Sequence, residues 1–163
     1  MSKLLTLVYV RRGTEVLLGL KKRGFGAGKW NGFGGKRDGT ETMEECARRE
    51  LREEAGIGVE RIALRGICSY RYETLEHPME VHVFEGTGII GEVIESDEMR
   101  PAWFESSAIP LDDMWADDPY WLPQLLAGEF DGKRFSASFT FRAHEGPGSK
   151  DIVEHSVKLV NES

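Results

Sequence analysis

The stretch at residues 35–57, GKRDGTETMEECARRELREEAGI, constrains this chain more than any other. A glycine-containing turn runs into an Arg/Glu-rich segment. Thr42 and Glu45 have the Thr-x-x-Glu spacing of a capping box, and Gly56 supplies a stop, so the pattern predicts a helix over residues 42–55. At 100° per residue, Met43, Ala47, Leu51 and Ala55 form one apolar stripe, with Glu50 and Glu54 on or beside it. Such a helix packs on a sheet and carries two carboxylates to where solvent is scarce.

Burying carboxylates side by side without a counter-charge costs several kcal/mol each. Glu50, Glu53 and Glu54 lie at i, i+3 and i+4, within reach of a common centre, and their hard oxygens favour Mg²⁺ or Mn²⁺ over zinc. A solvated Glu/Arg helix face is the other reading of a short REL-x-EE run. The full stretch decides between them, because Gly35, Glu41, Arg49, Glu50, Leu51, Glu53, Glu54, Gly56 and Ile57 occupy every fixed position of the box G-x5-E-x7-R-E-U-x-E-E-x-G-U, with U aliphatic. In this the chain resembles the Nudix hydrolases. The resemblance implies an α/β fold, an α/β/α sandwich with a mixed β-sheet whose box helix carries the metal site, and cleavage of a nucleoside diphosphate linkage.

At 163 residues the chain is long enough for one well-buried core and short for two, so a single domain over residues 1–163 is expected. No apolar run reaches membrane-span length, and MSKLLTLVYVRRG lacks a signal-peptide cleavage pattern; the expected location is cytoplasmic, with nuclear or mitochondrial pools open. Cys46 and Cys68 lack metal-site spacing and read as reduced, structural thiols. The net charge of −7 argues against a nucleic-acid duplex as partner but not against a small polyphosphate, since cations on an acidic helix reverse the local sign.

Residues 4–10 and 15–21 read as a hairpin of two nearly continuous apolar strands, covered on both faces. Thr6 and Lys21 interrupt them, as β propensity and a strand end would. The following KKRGFGAGKWNGFGGK combines glycines, Lys22, Arg23 and Lys29 for phosphate, and Phe25, Trp30 and Phe33 as walls for a base; beside the box it reads as a substrate mouth, with Asn31 offering donor and acceptor. Residues 62–72 and 80–87 suggest strands joined by a turn at 75–78. The aromatic alternation Tyr70-Arg71-Tyr72 is core packing or a face that stacks on a purine. His77 and His82, with no acidic partner evident, are read as non-catalytic. Residues 95–104 bring three carboxylates before a short strand. Asp118-Pro119 resembles a helix N-cap and first-turn proline, with Gly128 as the stop, which leaves Trp115 and Asp117 unexplained. Residues 134–141 and 152–160 read as final strands around the polar turn HEGPGSK.

Beyond the box, LLGLKKRGFGAGKWNGFGGK, ARRELREEAG, VHVFEG, ESDEMRPAWF and DDMWADDPYWLP resemble the oxidised purine nucleoside triphosphatase branch of the superfamily, the MutT homologue 1 type. That resemblance implies metal ligands at Gly34 (carbonyl), Glu50, Glu53, Glu54 and Glu98, catalytic roles for Glu53, Glu54 and Arg49, and nucleotide contacts at Thr6, Lys21, Asn31, Phe33, Gly34, Gly35, Lys36, Trp115, Ala116, Asp117 and Asp118. It implies Mg²⁺-dependent hydrolysis of nucleotides such as 8-oxo-dGTP and 2-hydroxy-dATP by a monomer without nucleic-acid or membrane partners. Tyr70 and Tyr72 depart from the phenylalanines of that branch, and after Glu129 the likeness weakens. Asp117 and Asp118, if they converge, disfavour double ionisation, so one donates while the other accepts. Action on ADP-ribose or a dinucleotide is the alternative within the class; a nucleotide-binding module without turnover is the alternative outside it.

Overall fold

Two strands with apolar side chains at nearly every position need cover on both faces, and the computed structural model, which describes residues 3–72, 77–142 and 152–161, provides it. Strand β1 (Lys3–Arg12) sends Val8 and Val10 to one side and Tyr9 to the other. Strand β2 (Glu15–Lys21) sends Leu17 to the first side and Val16 and Leu18 to the second. The pair is antiparallel, with Gly13 at positive φ in the turn.

The first side is covered by helix α1 (Met43–Ala55), through Ala47, Leu51 and Ala55. Its N-terminus has the full capping box, with Thr42 and Glu45 exchanging side-chain and backbone bonds at 3.1 and 2.8 Å. Gly56, at φ 73°, ends it in the left-handed cap that residues with a Cβ resist. The second side is covered by Trp121, Leu122, Leu125 and Leu126 of a turn and the short helix α2 (Leu122–Leu126).

Between these layers lies one mixed sheet containing β1, β2, β3 (Trp30–Asn31), β4 (Gly58–Tyr72), β5 (Met79–Ile90), β6 (Met99–Glu105), β7 (Lys133–Phe141) and β8 (Ile152–Asn161). The order is β3-β2-β1-β5-β4-β7-β8, with β6 on β2. The β1/β5 and β4/β7 pairs are parallel and the rest antiparallel. This is the expected α/β/α sandwich.

Three expectations change. Strand β4 begins at Gly58, directly after the helix cap, and β5 continues to Ile90, because the two run together through a bulge near Leu64. No single helix runs from Asp118 to Gly128: a 3-10 turn at Asp118–Tyr120 precedes α2, and neither has a side-chain cap. His82 does have an acidic partner, since its Nε2 lies 2.9 Å from Glu80. The turns expected at 75–78 and 144–150 lie partly and wholly outside the described residues. Cys46 and Cys68 are free, buried thiols.

Because α1 is held mainly by its inner face, Leu51→Ala should destabilise the fold by about 2–5 kcal/mol, against about 1 kcal/mol for Thr42→Ala at the cap. Urea denaturation of both variants checks the ranking; equal losses would mean that packing does not anchor the helix.

Candidate active site

Gly34 and Gly35 join the box to the sheet. A Cβ on Gly34 would stand 1.8 Å from the Thr6 carbonyl oxygen, so only glycine lets this loop lie against β1. The contact is completed by Thr6 donating its N–H to the Gly35 carbonyl at 2.9 Å. Thr6, 1% exposed, therefore does more than suit a strand: it lies between the box loop and Cys46 of α1.

Glu54 is 6% exposed and accepts the Gly34 N–H at 2.9 Å. Burial pushes its carboxyl up to about 7, against that bond, with Glu50 and Glu98 adding to the rise and Lys21 opposing it. Glu50 is also raised, chiefly by desolvation. One guanidinium orders the neighbouring acids. Arg49 donates Nε and Nη2 to Glu41 at 3.0 and 2.8 Å, and Nη1 to Glu50 at 3.1 Å and to Glu53 at 3.2 Å. The bidentate bond, with a backbone bond from Asp38, pulls Glu41 down to about 2. Glu98 is turned towards Lys21, at 2.9 Å, and Arg23.

A second charged group lies in the same cavity. Asp117 and Asp118 are 3% and 2% exposed. The Asp117 Oδ2 accepts Tyr70 Oη–H at 2.7 Å and Trp121 Nε1–H at 2.9 Å. The Asp118 Oδ2 has no hydrogen-bond partner among the described residues. Burial raises both acids, and Asp117 raises Asp118 further. The capping reading of Asp118 fails on this point, because its carboxylate caps no helix. Trp115 packs on Phe25 with ring centroids 5.1 Å apart, and Gly26 approaches so closely that a Cβ would meet the indole at 2.8 Å.

Thr6, Lys21, Asn31, Gly34, Gly35, Glu54, Trp115, Asp117 and Asp118 all line one cavity of about 320 Å³. Tyr70, Tyr72, Met79 and Phe141 line it too, of which only the tyrosines carried a signal, their alternation along β4. Three expected contacts stand elsewhere. Phe33 is fully buried among the residues beneath α1, and its backbone N–H and C=O are both bonded to Val8. Lys36 is exposed and does not line the cavity, and its carbonyl accepts Arg49 Nη2. Ala116 packs against the core on the α2 side. Trp30, proposed as a wall, packs instead edge-on against Phe104.

The NUDIX domain signature matches residues 2–125. The chain belongs to the Nudix family. It is 48% identical over 161 residues to the oxidized purine nucleoside triphosphate hydrolase of Danio rerio, covering 99% of this chain and 97% of that protein. It is 47% identical over 160 residues to the protein of the same name in Mus musculus, covering 98% and 97%. Both alignments run on past Glu129, whereas the domain signature ends at residue 125. The fold of a mutator MutT protein from Bacillus halodurans superposes with a TM-score of 0.80 at 24% identity, over 96% of this chain and 97% of that one.

Nudix enzymes generally use divalent metals, and the donor set suits one. Glu50 and Glu54 offer hard oxygens, both desolvated, and among the described residues the Glu54 carboxylate has only a backbone N–H bonded to it. A divalent cation brings the charge this pair lacks. As they stand, no three His, Cys, Asp or Glu side chains among the described residues gather around one point, since Arg49 holds Glu53 and Lys21 holds Glu98.

Glu54 makes folding pH-dependent in metal-free buffer. Its folded value, about 7, lies above its ordinary 4.5, so its stabilising contribution is complete below 4.5 and is lost as pH rises to about 7. Glu54→Gln should therefore be more stable than the parent above pH 7, by about 3 kcal/mol, and no different below 4.5. Urea curves at the two extremes check this; an identical gap at both would show that buried charge is not the cause.

Proposed function

We propose that this Nudix protein hydrolyses oxidised purine (deoxy)nucleoside triphosphates, such as 8-oxo-dGTP and 2-hydroxy-dATP, to the monophosphate and diphosphate, clearing damaged precursors. It acts as a single-domain monomer with Mg²⁺. The observation that carries this reading is the shared cavity, where a buried acid pair suited to a purine edge and the box carboxylate suited to phosphate chemistry line one space. The names of the zebrafish and mouse relatives support the substrate class.

The Gly34 carbonyl, Glu50, Glu53, Glu54 and Glu98 would hold the metal. When bound, it neutralises charge on the phosphate chain and acidifies the attacking water. The protein supplies the rest. Arg49 orients Glu50 and Glu53, and Lys21 lines the cavity beside Glu54 as a cation for phosphate. Glu53 or Glu54 would take the proton from water. Trp115 offers a stacking face, and Asp117 and Asp118 offer an acceptor and a donor while they share one proton.

The test is diphosphate release from 8-oxo-dGTP, 2-hydroxy-dATP, dGTP and ADP-ribose with and without Mg²⁺. Oxidised purines should be preferred and turnover should need the metal; a preference for ADP-ribose would sink the proposal. Glu54→Gln should nearly abolish turnover. Arg49→Lys keeps the charge but loses the fork, so its loss should be smaller. Asp118→Asn should lower kcat/KM for the oxidised nucleotides by about tenfold to a hundredfold and narrow their preference over dGTP, with metal dependence unchanged.

A further inference from the structure

The hydrogen bonds around the acid pair are unequal. Asp117 Oδ2 receives two donors, the Tyr70 hydroxyl and the Trp121 indole, while Asp118 Oδ2 receives none among the described residues. Two buried carboxylates in adjacent positions hold one proton between them, and donors stabilise the member that is ionised. The proton therefore rests on Asp118. The indole donates whatever the ligand. The phenol is the adjustable member, reaching in from β4, 47 residues away in sequence.

We propose that the Tyr70 hydroxyl fixes the proton of the pair on Asp118 and thereby sets how sharply the pocket separates guanine-type from adenine-type oxidised bases. The proposal rests on the base-reading role given to Asp117 and Asp118 above. A guanine-type edge carries a carbonyl acceptor beside N–H donors, whereas an adenine-type edge carries an amino donor where that carbonyl stands. One pose of the pair matches both edges only if the proton can change places. Moving it to Asp117 turns an ionised acceptor of two hydrogen bonds into a neutral one, and it leaves Asp118 ionised with no donor on its Oδ2 among the described residues. Tyr70 raises the cost of that exchange, and so favours the edge that suits ionised Asp117 and protonated Asp118.

Among the described residues, titratable groups face the pair from several elements. Tyr9 from β1, Cys68, Tyr70 and Tyr72 from β4, and Lys29 from the glycine-rich loop act on one or both acids. Lys29 favours ionised Asp118, opposing Tyr70, and its Nζ lies over Trp115 at 5.5 Å from the ring centroid.

The test is Tyr70→Phe. It keeps the ring that stacks on Phe139 and Phe141, at centroid distances of 5.8 and 6.3 Å, and removes only the donor. The kcat/KM values for 8-oxo-dGTP and 2-hydroxy-dATP are measured across pH, with Tm as the check on folding. Dissociation constants for the two monophosphate products give the same comparison without turnover. The ratio between the two bases should move towards unity by about threefold to tenfold, mainly through KM. The acid limb of kcat/KM should rise by about one pH unit, because the ionised pair has lost a donor and the neutral pair persists to higher pH. An unmoved limb, with both substrates reduced equally or not at all, overturns the proposal. Asp118→Asn run alongside separates the two ideas. If it alters the ratio while Tyr70→Phe does not, only the role of Tyr70 falls; if neither does, base reading by the pair falls with it.

Discussion

Buried negative charge with too few partners is the constraint on which the rest of this structure depends. Arg49 serves Glu41, Glu50 and Glu53 and has no donor left for Glu54, which keeps one backbone N–H. The helix does not swing outward to hydrate that carboxylate, and magnitudes say why. Ala47, Leu51 and Ala55 share its face and are fully buried; returning them to water would cost more than the roughly 3 kcal/mol that Glu54 forfeits. Hydrophobic packing wins and the charge stays in. The same loop contact that requires Gly34 brings β1 against the box and closes the wall of the cavity.

The acid pair repeats this logic with a different remedy. Trp121 is fully buried, edge-on to Tyr9 and stacked on Phe135, so the turn carrying Asp117 and Asp118 cannot move away from the sheet without opening the core. Near Glu54 the electrostatic neighbours are formal charges, Glu50, Glu98 and Lys21, and the donors are hard oxygens, which suits a cation. Around Asp117 the partners are a phenol and an indole, which donate hydrogen bonds and carry no charge. There burial and the mutual repulsion of the two acids favour uptake of a proton. One cavity is thus lined by an acid of α1 whose surroundings suit a cation and by acids of the turn before α2 whose surroundings suit a proton.

Local pattern made much of this legible. The capping box, the left-handed glycine and the apolar stripe specify α1 almost to the residue, and the unbroken apolar runs of β1 and β2 announce a sheet covered on both faces. What resisted was side-chain direction in irregular backbone and pairing over long separations. The glycine-rich loop has no period, so nothing in it tells that Phe25 faces the cavity while Phe33 faces the core beneath α1. Asp118 before a proline is the commonplace sequence of a cap. Only the sheet, by placing Tyr70 beside Asp117, and the turn, by placing Trp121 four residues on, show that this turn serves the cavity instead.

Asn31 shows how such networks turn a permissive residue into a specific one. By itself the carboxamide presents both a donor and an acceptor. Here its Oδ1 already accepts the Gly32 N–H at 2.8 Å and the Tyr9 hydroxyl at 3.2 Å. Those two donors assign the oxygen, and with it the orientation of the whole amide. That leaves Nδ2 as the donor end of a residue that lines the cavity. Tyr9 does this from a fully buried position on β1, where desolvation and the nearby Asp118 and Asp117 hold its phenol protonated and donating. The polar character of the cavity is thus set from behind, by tyrosines of β1 and β4 that bond to the amide and to the acid pair lining it.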